Sequence, residues 1–148
     1  FAKLMNKKAR EIGMKYTNFR NASGLHEPGQ YSTAYDLARL MIAIRKDCPQ
    51  GCKYFSEKSF VCDDRKFVTH NFFLRDYEGA TGFKTGYTSI AGYNLMATAE
   101  RDGKSLTAII AACDRSDRRN KYMAKIFDDA FEGVGKSDKE VRVRLVVK

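Results

Sequence analysis

No stretch of the chain approaches the roughly 18 to 20 consecutive apolar residues that a membrane-spanning helix requires. Histidine occurs only at His26 and His70, so a histidine-based metal site or a Ser–His–Asp triad is poorly supplied, and each histidine reads as a loop or hydrogen-bonding residue. His26-Glu27 opens a zinc-protease pattern, but the second ligand would fall at Gln30 and Pro28 would interrupt the required helix. The four cysteines contain no Cys-x-x-Cys pair, which argues against a structural zinc site. In an oxidising compartment Cys48–Cys52 and Cys48–Cys62 both stand as conceivable disulfides, and spacing does not choose between them. Cys113 ends an apolar run and reads as a buried small hydrophobe. There is no internal repeat and no low-complexity segment. No basic region followed by an apolar stretch precedes Phe1, so the chain reads as a piece of something longer.

What is present is an ordinary globular balance in 148 residues, with 43% hydrophobic and 30% charged side chains, the size of one domain. The net charge of +9 would suit nucleic acid, an anionic membrane or an anionic polymer such as a cell wall. However, the basic residues interleave with acids, as in Arg115, Asp117, Arg118, Arg119 and Lys121, and no arginine-rich tail occurs. The pattern reads as a basic solvated surface, with no nucleic-acid partner.

Phe1, Leu4, Met5, Ala9 and Ile12 fall at helical spacing, and Gly13 is a natural stop. Residues 14–31 read as an extended loop. Thr33 stands three residues before Asp36, an approximate capping box for a helix whose face carries Leu37, Leu40, Met41 and Ile44 and which ends before Cys48-Pro49. A hairpin follows, Lys58–Cys62 and Lys66–Thr69 around Asp63-Asp64-Arg65. Three strands come next, Ala80–Thr85, Gly92–Glu100 and Ser105–Ala112, with Asp102-Gly103 as a hairpin turn. A third helix over Ser116–Phe131 carries Tyr122, Met123, Ile126, Phe127 and Ala130 on one face, and Val141–Val147 alternates like a further strand. Helices first, then antiparallel strands, then a helix, indicate an α+β fold.

Gly79 to Thr85 superficially resembles a phosphate-binding loop. That motif needs Gly directly before Lys and a helix afterwards, whereas Phe83 precedes Lys84 and a strand pattern follows. Read as a strand end, Lys84-Thr85-Gly86 presents an ammonium, a hydroxyl and an unobstructed backbone edge in one row. A peptide ending in a carboxylate fits such an edge by strand addition. Thr85 would bond the carboxylate, Lys84 would supply positive potential, and Gly86 would permit close approach.

With its flanks the motif resembles the serine D-alanyl-D-alanine carboxypeptidases, low-molecular-weight penicillin-binding proteins of peptidase family S11. The matching elements are Met5-Asn6-x-Lys8-Ala9 with Gly13-Met14, Thr17-x-Phe19, Gly24-Leu25, and Tyr31-Ser32-Thr33-Ala34-x-Asp36. Most specific is Gly82-x-Lys84-Thr85-Gly86-Tyr87-Thr88 followed by Ala91-Gly92-Tyr93-Asn94-Leu95. Arg101-Asp102-Gly103 and Ser116-Asp117-Arg118 fall where the family has its hairpin turn and last helix.

The resemblance implies a central antiparallel sheet flanked by helices, of β-lactamase/transpeptidase type and incomplete in this chain. Residues 1–132 would be the C-terminal part of the catalytic domain, and 133–148 a linker or the start of a β-rich segment. It implies a serine that attacks the terminal D-Ala-D-Ala bond of a peptidoglycan stem peptide, an acyl-enzyme that water releases, β-lactams as substrate mimics, and no cofactor or metal. Lys84 would be the catalytic residue of this part. Thr85, Gly86, Tyr87, Thr88 and Arg118 would bind substrate, with the Tyr87 N–H in the oxyanion hole; Arg119, next to Arg118, stays open as the alternative to it. The site would work in the bacterial periplasm or cell envelope.

The departure is large. No serine is followed three residues later by lysine, and no Ser-x-Asn occurs. Both motifs would lie before Phe1, so the chain is expected to be inactive alone and to partner the missing N-terminal part of its domain. Thr69-His70-Asn71 stands where related enzymes often carry an arginine. The exposed sheet edge predicts dimerisation, strand swapping or complementation. The alternative is a non-catalytic cell-wall-peptide-binding module that lost the serine.

Overall fold

The computed structural model describes residues 1–133. The expected strand at Val141–Val147 lies outside the described residues. Helix α1 (Ala2–Glu11) is followed by a long loop, then α2 (Ala34–Asp47) and α3 (Pro49–Ser56). Next come the hairpin β1 (Ser59–Cys62) and β2 (Arg65–Val68), and α4 (Phe72–Asp76). A meander of β3 (Ala80–Thr88), β4 (Gly92–Arg101) and β5 (Lys104–Cys113) leads to α5 (Ser116–Gly133).

The three-stranded sheet runs β3-β4-β5, antiparallel throughout, so β4 is central and β3 is an edge. The two two-residue hairpin turns follow from local chemistry. Asp63 and Asp64 take φ of 47° and 60°, and Asp102 and Gly103 take 51° and 71°, the paired left-handed conformations that match the twist of adjoining strands.

Alternation along β4 assigns its two faces. Leu95, Ala97 and Ala99 are buried and pack with Ile110, Cys113, Phe73 of α4, and Met123 and Phe127 of α5. Aromatic rings fill this layer: Phe73 lies 4.7 Å from Tyr77 and 5.7 Å from Phe127, centroid to centroid. The Tyr77 hydroxyl donates to Asp128 at 2.7 Å and accepts from Arg101 at 2.8 Å, and burial together with the Asp128 bond pushes its pKa up. The opposite face carries Thr98 and Glu100, over which lie α2 and α3. Arg45 of α2 reaches Glu100 at 2.8 Å and Ser105 at 2.6 Å, and Phe55 of α3 stacks on Phe83 at 3.9 Å. The expected α+β arrangement, an antiparallel sheet flanked by helices, is what the chain adopts.

Several expectations need correction. Two helices are additional to the expected elements, α3 between α2 and the hairpin and α4 between the hairpin and the sheet. Pro49 opens α3 rather than only ending α2, because a first-turn position needs no N–H. Phe1 and Leu4 are exposed, and of the α1 face only Ala9 is buried. Tyr122 is also exposed, and Arg119 takes an inward position on α5 instead. The capping box is half formed. Thr33 accepts from the Asp36 N–H at 3.1 Å, but the Asp36 carboxylate turns away to accept from the Tyr16 N–H and the Thr17 hydroxyl, each at 2.7 Å. That pair ties the long loop to α2. Asn6 fastens the same loop to α1, donating to the Phe19 carbonyl at 2.8 Å and accepting from its N–H at 2.7 Å. Thus hydrogen bonds from Asp36 and Asn6, together with the buried Ala9, Met14 and Met41, fasten the elements before the sheet.

Candidate functional site

The Lys84 strand extends past Thr85 to Thr88 and lies at the sheet edge, with Lys84 opposite Met96, Thr85 opposite Leu95, Gly86 opposite Asn94 and Tyr87 opposite Tyr93. Lys84 is exposed, and its ammonium donates to the Thr85 carbonyl at 2.5 Å. Thr85 is half-buried, while Gly86 and Tyr87 are exposed. The Tyr87 ring stacks on Tyr93 at 4.3 Å, which turns it toward β4 and away from the free edge. Thr88 uses its hydroxyl to accept from the Ala91 N–H at 3.0 Å, closing the turn into β4.

Glycine at position 86 is not a requirement of the fold. A Cβ there would meet only the Asn94 Cβ, at 3.9 Å, an ordinary contact. Gly92 differs: its φ is +66°, and a Cβ would stand 2.8 Å from the Cys113 carbonyl oxygen. Gly86 therefore leaves the exposed strand without a side chain between Thr85 and Tyr87, on the face where it meets Asn94.

Behind this strand the structure brings together two residues without an assigned role at the level of sequence. Asn94 donates to the Gly92 carbonyl at 2.9 Å and the Gly86 carbonyl at 3.5 Å, and accepts from the Ala112 N–H at 3.0 Å. One side chain thus links all three strands where the β4–β5 register shifts between Tyr93 and Leu95. Arg119 is buried and donates to the Asn94 carbonyl at 3.2 Å and to the Asn120 side-chain oxygen at 2.8 Å. Burial lowers its pKa from the ordinary guanidinium value. Asn94 was visible inside the Gly92-Tyr93-Asn94-Leu95 run, but Arg119 had no signal separating it from its neighbour.

Arg118 points elsewhere. It is exposed and pairs with Asp114 at 2.7 Å across one helical turn. Arg118→Ala is expected to change stability by no more than about 0.5 kcal/mol. Arg119→Ala, which strands the Asn94 carbonyl behind β4, should cost roughly 2–3 kcal/mol. Urea midpoints of the two variants check this, and equal effects would contradict the assignment. His26 and His70 are both exposed, and Asn71 caps α4 by accepting from the Leu74 N–H at 3.3 Å.

A sheet with helices on both faces, a Lys-Thr-Gly edge strand and a closing helix defines the penicillin-binding class of fold. The chain belongs to the D-alanyl-D-alanine carboxypeptidase family, whose model matches residues 1–114. It is 37% identical over 135 residues to D-alanyl-D-alanine carboxypeptidase DacF of Bacillus subtilis, covering 88% of this chain and 35% of that protein. Against DacD of Escherichia coli it is 36% identical over 127 residues, 85% of this chain and 33% of the relative. Among solved structures, penicillin binding protein 5 of Haemophilus influenzae superposes with a TM-score of 0.83 at 34% identity, over 88% of this chain and 39% of that one. Penicillin-binding protein D2 of Listeria monocytogenes, in its ampicillin-bound form, gives 0.81 at 33% identity, over 88% and 55%. The chain therefore spans about a third of the length of these curated carboxypeptidases.

Proposed function

We propose that this chain carries the substrate-docking half of a serine D-Ala-D-Ala carboxypeptidase site, whose nucleophile belongs to a part of the protein outside this sequence. The observation that carries the reading is the edge position of β3 at Lys84-Thr85-Gly86, which among the described residues pairs with β4 alone. A stem peptide ending in D-Ala-D-Ala lies along this edge as an added strand. Lys84 supplies positive charge near the terminal carboxylate and Thr85 donates its hydroxyl to it. The Tyr87 N–H serves the oxyanion, and Tyr93 and Thr88 hold that residue in place. Arg119 fits a positioning role better than Arg118, because it reaches the strand behind Gly86 through Asn94. A β-lactam occupies the same edge as a mimic. The peptidoglycan substrate assigns the working protein to the periplasm or cell envelope. The remainder of the catalytic domain covers the sheet edge along β5, and without it a second copy pairs there.

Fluorescent penicillin tests this reading. The 148-residue chain alone should take no covalent label, because no serine in it stands three residues before a lysine. The protein extended upstream should be labelled through a Ser-x-x-Lys serine. Label on the chain alone would refute the placement of the nucleophile. An extended protein that binds D-Ala-D-Ala peptide without label or turnover would favour a non-catalytic binding module.

A further inference from the structure

Cys48 and Cys52 share the first turn of α3, and the other two cysteines lie elsewhere. Cys62 is exposed at the turn end of the β1–β2 hairpin, with its sulfur beside the Asp63 carboxylate at 3.9 Å, and Cys113 is buried in the core. We propose that Cys48 and Cys52 form a disulfide that clamps the start of α3, made by exchange with a disulfide-bearing oxidant.

Cys48 is the N-cap residue of α3, in a non-helical conformation with φ −137° and ψ 56°. A side chain at that position reaches forward over the first turn, while the Cβ of Cys52 leans back toward the helix start. Residues four apart on a helix have Cα atoms roughly 6.2 Å apart, within the roughly 4.4–6.8 Å that a disulfide spans. The sulfurs occupy that shared turn. The Cys48 Sγ lies 2.7 Å from where a Cβ on Gly51 would stand, and the Cys52 Sγ lies 3.6 Å from the Cys48 carbonyl oxygen. A side chain at position 51 would collide with the Cys48 thiol, so glycine there leaves that thiol room over the first turn of α3.

The exposures set the order of steps. The Cys48 thiolate attacks one sulfur of the oxidant, that S–S bond breaks, and one thiol departs. The Cys52 thiolate then attacks the Cys48 sulfur of the mixed disulfide and expels the second thiol. Two protein thiols and one disulfide thus give one protein disulfide and two thiols, with both electrons and both protons on the departing pair. The clamp matters to α3 because an eight-residue helix is marginal by itself, and this one is held on β3 through Phe55 against Phe83 and Gly82. It does not depend on the enzymatic reading of the edge strand.

The full chain is incubated with oxidised glutathione, alkylated without reduction and digested with trypsin. Cleavage after Lys46 and Lys53 releases Asp47–Lys53, which contains both cysteines. The expected product is this peptide with no alkyl group and two hydrogens fewer than its reduced form. In Cys48→Ser and Cys52→Ser variants the remaining cysteine is alkylated or glutathionylated instead. A doubly modified Asp47–Lys53 peptide, or Cys48 joined to Cys62, overturns the proposal. Amide exchange across α3 should slow at least several-fold on oxidation, and unchanged exchange overturns the clamp.

Discussion

Replacing Lys84 by alanine is expected to slow β-lactam acylation of the protein extended upstream by roughly 10²–10³-fold, the scale of a removed electrostatic contact to the reacting group. Its melting temperature should stay within about 2 °C, because an exposed side chain outside the core contributes little to folding. The structure supports this separation. The Lys84 ammonium donates to the carbonyl of its own neighbour, Thr85, and no ion pair among the described residues includes it. Acylation is read from penicillin labelling kinetics and folding from a thermal scan of the same variant. An unchanged labelling rate would remove Lys84 from the site, and a parallel loss of melting temperature would make its role structural.

The second large effect lies in the core. Phe127→Ala should cost roughly 3–5 kcal/mol, the range for deleting a buried aromatic ring. Phe127 is 1% exposed, and its ring stands within 5.7 Å of Phe73, 5.8 Å of Tyr77 and 6.2 Å of Phe131. Removal leaves a cavity between α4, α5 and the sheet that none of these rings can fill without leaving the others. A domain's whole stability is about 5–15 kcal/mol, so the variant should lose a large share of it and unfold at a clearly lower urea midpoint. A shift in the urea midpoint worth less than about 1 kcal/mol would mean that the layer relaxes around the gap.

The sequence exposed those features whose cause is local. Asp63-Asp64 and Asp102-Gly103 carry the turn chemistry that brings their strands together, and Thr33 makes the expected cap bond to the Asp36 N–H. The Lys84 edge strand was legible because its residue types sit in a row that one strand presents together. Features with distant causes were hidden. The carboxylate of Asp36 serves Tyr16 and Thr17, about twenty positions away along the chain, and no spacing rule anticipates that choice. Helix α4 has five residues, too few for a hydrophobic period to appear. Arg118 and Arg119 are adjacent in sequence, yet a step of about 100° around the helix puts one in solvent and the other behind the sheet. Which of the two faces inward depends on the phase of α5 against β4, and that phase is set by Met123 and Phe127.

The order β3-β4-β5 also bears on how quickly this edge can assemble. Each strand pairs with its neighbour in the chain, across the connection 89–91 in one case and Asp102-Gly103 in the other. Closing such short loops sacrifices little chain entropy, and pairings of low contact order form early in folding. The strand that presents Lys84, Thr85 and Gly86 can thus acquire its register from information contained within about thirty residues. Only the slower, long-range step of joining this meander to the rest of its domain must wait.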